Sequence, residues 1–131
     1  MSKKRPEHSP HWKHEPEDHD FPAASDYLSL VVAEQTVTLI VDELRKAETT
    51  TRKAKDLLRS SRLALAPADD HEVAKDLKKV SKGELLSPVL LVRGRAEDDV
   101  PLTVADGYHR ICASYHLDED ADIPCRIVDL P

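Results

Sequence analysis

Residues 88–93, Pro-Val-Leu-Leu-Val-Arg, hold apolar side chains at five consecutive positions between a charged helical pattern and a charged loop. A short unbroken apolar run bounded by turn signals marks a strand buried in a sheet, not one lying half in water. The remaining chain must supply the partners of that strand. Residues 101–106, "PLTVAD", read as its neighbour across a hairpin-like loop, "GRAEDDV", and residues 123–130, "IPCRIVDL", read as a last strand after an acidic loop. Between them a helix is expected over 108–117, where Ile111, Ala113, Ser114, Tyr115 and Leu117 are distributed for packing on a sheet.

Upstream, Asp69 and Glu72 have the spacing of a capping box, and Gly83 is placed to close the helix in a left-handed turn. Val73, Leu77 and Val80 then face inward, with Lys75, Lys78, Lys79 and Lys82 on the wet side. Further back, Leu30, Ala33, Val37, Ile40, Val41, Leu44 and Ala47 recur at helical spacing with Ser25 as N-cap, which predicts one long amphipathic helix. The β-branched run at 36–41, "TVTLIV", would suit a strand by itself, but the stripe continues beyond it. Another helix is expected over 52–61, with Ala54, Leu57 and Leu58 on one face, followed by an extended link, "RLALAPA", at 62–68. These elements together predict an α/β (α+β) fold: a small mixed sheet with packed helices and an N-terminal helical region.

A length of 131 residues suits one domain. Residues 1–20 are rich in proline and charge with Trp12 as the only large apolar group, so residues 1–22 are expected to be a disordered leader. Residues 23–131 are expected to form the domain, as a helical extension over 23–62 and a core over 63–131. His8, His11, His14 and His19 are of metal-ligand type, but an unfolded tail loses ordering entropy for each ligand and prolines interrupt the spacing, so no metal is assigned. A net charge of −6 disfavours a surface that wraps duplex DNA. Two cysteines form no disulfide framework and point to a reducing cytoplasm, and the longest apolar stretch falls short of the ~20 residues that span a bilayer.

The chemistry concentrates where the strand "TVAD" meets the next helix. Gly107 permits the sharp turn and lets a ligand approach backbone closely. The amides of Tyr108, His109 and Arg110 follow as first-turn donors at the positive end of a helix dipole. Arg110 adds a planar fork of donors matched to phosphate oxygens, and His109 adds a donor whose charge depends on pH. Asp106 can cap the helix or pair with Arg110.

With "VAKDLKKVSKGELLSPVLLVRG", "DGYHRICA" and "IPCRIV" in this order, residues 69–130 resemble the ParB/sulfiredoxin-like superfamily. The resemblance implies nucleotide phosphates bound at the glycine turn. ParB proteins carry Gly-Glu-Arg-Arg there and bind CTP; sulfiredoxins carry Gly-Cys-His-Arg and bind ATP. Gly107, His109 and Arg110 match the second element, and Gly107 and Arg110 the first. Tyr108 stands where sulfiredoxins have their cysteine, so their activity is not expected. ParB proteins read DNA through a helix-turn-helix that follows this region, and no such region follows residues 123–130, so sequence-specific DNA binding is not expected. A kinase branch carries Asp-Gly-His-x-Arg with its aspartate near the reacting hydroxyl; Asp106 and Gly107 match it, while His109 is displaced by one position. The resemblance thus implies ATP or CTP with magnesium as ligand, or a phosphorylated small molecule. It places Lys75, Lys78 or Lys79 near the outer phosphates and makes Asp106 the candidate base. Residues 24–62 have no counterpart in it, and a cover for the sheet or a homodimer interface are the uses open to them.

Overall fold

In the computed structural model, which describes residues 10–131, the apolar run forms a strand buried on both faces. We number the elements in chain order: β1 (His11–Trp12), α1 (Asp20–Leu28), α2 (Glu34–Lys46), β2 (Thr50–Lys53), α3 (Ala54–Ser61), α4 (His71–Ser81), β3 (Leu85–Leu86), β4 (Val89–Val92), β5 (Thr103–Asp106), α5 (Tyr108–Leu117) and β6 (Asp122–Val128). The main sheet has the order β2-β6-β4-β5, with β4 parallel to β6 and both outer pairs antiparallel. Successive side chains of a strand point to opposite faces. Val89 and Leu91 therefore join a core with α3, α4 and α5, while Leu90 and Val92 join a second core with α1 and α2. The fold is mixed α/β, as expected.

Several expectations change. The long helix is broken, with Leu28 ending α1 and Glu34 opening α2, and Ser25 lies inside α1 instead of capping it. A straight helix over 20–46 would run roughly 40 Å, about three times the length of a four-residue strand. Folding it back lets Phe21, Ala24 and Leu28 share one sheet face with Val37, Ile40 and Leu44. These helices are thus a layer of the domain, not an extension of it. Part of the expected leader is also structured. Trp12 packs on the first core, β1 runs parallel to β3, and Asp20 and Phe21 are buried; His8 lies outside the described residues. The helix expected from residue 52 begins at Ala54, and Thr50–Lys53 instead pair with β6.

Local signals fix the other ends. Asp70, not Asp69, caps α4, accepting hydrogen bonds from the amides of Glu72 (3.1 Å) and Val73 (3.2 Å). At its other end Gly83 adopts φ +75°, while its amide reaches the Val80 carbonyl and that of Glu84 the Lys79 carbonyl. That pair of bonds is the Schellman closure the glycine predicts. No helix among the described residues is long and apolar enough to cross a membrane.

One buried cation ties the helical layer to the sheet. Arg126, on β6, donates to the carbonyls of Leu44 (3.1 Å) and Arg45 (3.0 Å) and to Thr49 Oγ1 (3.3 Å). It thereby satisfies carbonyls at the negative end of α2. Arg126→Met keeps the apolar stem but removes these donors and should lower the unfolding free energy by ~2–3 kcal/mol. Urea denaturation measures this, and unchanged stability would contradict the capping role.

Candidate functional site

The turn from β5 into α5 is set by a close approach. Gly107 has φ +111° and ψ +16°, and a Cβ there would lie 2.8 Å from Val89 Cβ and 2.9 Å from Arg110 Nη2. Only glycine fits both the conformation and the space. No side chain caps α5, and among the described residues no acceptor reaches the amides of Tyr108, His109 or Arg110; the first helical bond runs from the Ile111 amide to the Gly107 carbonyl.

These amides border a polar cleft of about 290 Å³ between the start of α5 and one face of α4. Glu72, Lys75, Asp76 and Lys79 line it from α4, joined by Asp106, Gly107, Tyr108, His109, Arg110 and, from the segment before α1, His19. The expected residues Lys75, Lys79, Asp106, Gly107, His109 and Arg110 are thus brought together, while Lys78 is not among the lining residues. Tyr108 contributes differently. Its hydroxyl donates to the Ala64 carbonyl in the link before α4, and burial, with help from Cys112, pushes its pKa up to about 12. The side chain is a tether for that link, which leaves the Tyr108 amide as its group suited to an anion. His116 binds the same link, its Nε2 lying 2.7 Å from the Ala66 carbonyl.

Asp106 does not cap the helix but pairs with Arg110. Its Oδ2 accepts from Arg110 Nη2 at 2.9 Å, and the same nitrogen reaches the Pro88 carbonyl at 3.3 Å. Arg110 Nε is buried without a partner among the described residues. Burial raises the Asp106 pKa above the ordinary carboxylate range, and Arg110 draws it only part of the way back. Desolvation outweighs the ion pair here because both side chains are largely withdrawn from water. His109 Nε2 stands 3.8 Å from Asp70 Oδ2, the cap of α4.

Sequence reasoning missed Asp76, Glu72 and His19 as cleft residues. The signal was present for two of them: residues 72, 75, 76 and 79 fall at the i, i+3, i+4, i+7 spacing of a single helix face. Asp76 is half-buried, and desolvation raises its pKa against the opposing pull of Arg110, Lys79 and His109. The cleft therefore sets Lys75, Lys79 and Arg110 against Glu72, Asp76 and Asp106.

A larger cleft of about 490 Å³ gathers Arg52, Arg59, Arg62 and Arg93 over Leu57 and Ile127. Arg59, Arg62 and Arg93 are already ion-paired, with Asp56, Asp99 and Asp129. Neither cysteine lines these clefts; both are buried free thiols, and burial pushes that of Cys125 up to about 11. No family model, no curated protein and no solved structure matches this chain.

Two outcomes follow from this geometry. Gly107→Ala should destabilise the protein by ~2–4 kcal/mol, since strain and steric conflict add; thermal and urea unfolding read the loss, and a neutral effect would contradict the close approach. Asp76 has a folded-state pKa above its unfolded value of about 3.9. Its contribution to stability is therefore complete below that value and is lost as pH rises through the folded one. Relative to the parent, Asp76→Asn should grow more stable as pH rises from below the unfolded value through the raised folded one, and level off above it. A difference that is flat with pH would contradict the shift.

Proposed function

We propose that the Gly107–Arg110 turn binds a nucleotide or another phosphate compound, with ATP and CTP as first candidates. The observation that carries this reading is the set of unpaired amides of Tyr108, His109 and Arg110 at the mouth of a cleft that also holds Lys75 and Lys79. A helix N-terminus with open amides favours an anion, and the lysines stand where outer phosphates would extend. The resemblance of residues 69–130 to the ParB/sulfiredoxin-like superfamily supports the same reading. The carboxylates qualify the ligand. A bare polyphosphate would face Glu72, Asp76 and Asp106, so a phosphate carried with magnesium suits the cleft better. The buried free thiols fit a reducing cytoplasm as the setting.

Catalysis, as small-molecule phosphoryl transfer or nucleotide hydrolysis, would need a base, and Asp106 or Asp76 would supply it from its raised pKa. Magnesium-dependent turnover abolished by Asp106→Asn or Asp76→Asn would establish it. A second reading, a helical adaptor that self-associates, is favoured by the exposed Tyr27, Leu30, Val31 and Leu39 of the α1–α2 layer. A single monomeric species in sedimentation at high concentration would remove the homodimer.

Thermal unfolding with a panel of nucleotides and phosphorylated metabolites, each with and without magnesium, tests the proposal. A true ligand at one hundred times its Kd should add ~2.7 kcal/mol of stability. The double change Lys75→Ala and Lys79→Ala should leave the free protein folded and reduce that gain. No stabilisation by any phosphate compound would overturn the reading.

A further inference from the structure

The segment leading into α1 folds three potential ligands onto one point. His19 Nε2 lies 3.0 Å from Glu17 Oε2 and 3.4 Å from Asp20 Oδ1, and ligand atoms of all three residues fall within 4.8 Å of one another. Donor atoms held ~2.1 Å from a common ion stand about 3.0 Å apart at octahedral angles and about 3.4 Å apart at tetrahedral ones. The two short edges have those lengths.

Asp20 is 2% exposed, yet its carboxylate meets no Lys or Arg among the described residues. Oδ2 accepts the Glu17 amide at 3.0 Å, and Oδ1 is left aimed at His19. A buried carboxylate ordinarily pairs with a cation or coordinates a metal. Glu17 binds Lys13 through Oε1, which turns Oε2 toward the same point. His19 is 75% exposed, so an ion has an open approach.

We propose that Glu17, His19 and Asp20 form a site for a divalent transition-metal ion, with Glu17 Oε2, His19 Nε2 and Asp20 Oδ1 as ligands and further positions open to water or an anion. An imidazole with two carboxylate oxygens suits zinc, cobalt or manganese better than the all-oxygen preference of magnesium or calcium. Two carboxylates, one of them shared with Lys13, offset most of the charge of the ion. Of the described histidines of the N-terminal segment, His19 alone belongs to the cluster; His11 and His14 do not. Because His19 also lines the cleft that contains Arg110 and Asp106, a bound ion would stand at its rim. Metal binding here does not depend on the phosphate reading and is tested with the metal alone.

The full chain is titrated with zinc by calorimetry and with cobalt by visible absorption, no nucleotide being present. We expect one equivalent bound, with ligand-field bands from cobalt. His19→Ala, an exposed position, should weaken affinity by about tenfold or more, equal to ~1.4 kcal/mol or more, and Asp20→Asn should do the same. Replacing His8, His11 and His14 together by alanine should leave binding intact. No saturable binding, equal affinity in the His19→Ala protein, or loss of binding in the triple variant would each overturn the proposal. Stabilisation by a magnesium nucleotide in a parent protein that binds no zinc or cobalt would leave the turn reading standing while this one fell.

Discussion

Val89 to Val92 send alternate side chains into two cores, and nearly every other element is placed by that double burial. A strand covered on one face would need only α3, α4 and α5. Covering its second face requires α1 and α2, and Arg126 holds that layer to the sheet through the carbonyls at the end of α2. The same strand fixes the turn. Val89 occupies the space a side chain at 107 would need, so the glycine, the left-handed backbone and the start of α5 all follow from where β4 lies.

The cleft is a compromise between fields of opposite sign. The amides of α5 with Lys75, Lys79 and Arg110 attract an anion, while Glu72, Asp76 and Asp106 repel one. Burial raises Asp76 and Asp106 above ordinary carboxylates, which softens the repulsion without removing it. The Asp106–Arg110 pair also orders the guanidinium beside the Pro88 carbonyl, so part of Arg110 acts as structure before it can act as a ligand. Tyr108 behaves likewise, spending its hydroxyl on the link that leads to the cap of α4.

What the sequence made legible was local. β4, β5, α5 and β6 follow from apolar runs and one glycine, and α4 from a cap and a Schellman closure, because these signals lie within the segments they govern. The cap falls on Asp70 and not its neighbour, a difference of one residue that spacing does not resolve between adjacent aspartates. What was not legible depends on distant partners. Trp12, Asp20 and Phe21 look like parts of a solvated leader until a sheet face exists to bury them. Thr50–Lys53 carry no alternating apolar pattern, and only pairing with β6 makes them a strand. The break between α1 and α2 is set by the size of the sheet, which no window on the helix itself contains. At the site, Lys75, Lys79 and the Gly107–Arg110 turn were readable from residue type, Glu72 and Asp76 shared the helix face of the two lysines and could have been read from that spacing, and only His19 required the folded entry to α1.

We propose that the first turn of α5 receives a phosphate. Amide-resolved NMR during titration with magnesium nucleotides tests it most directly. Saturable shifts of the Tyr108, His109 and Arg110 amides are expected, with Lys75 and Lys79 following. Unmoved amides at that turn, or shifts confined to the cleft around Arg52, Arg59, Arg62 and Arg93, would contradict it.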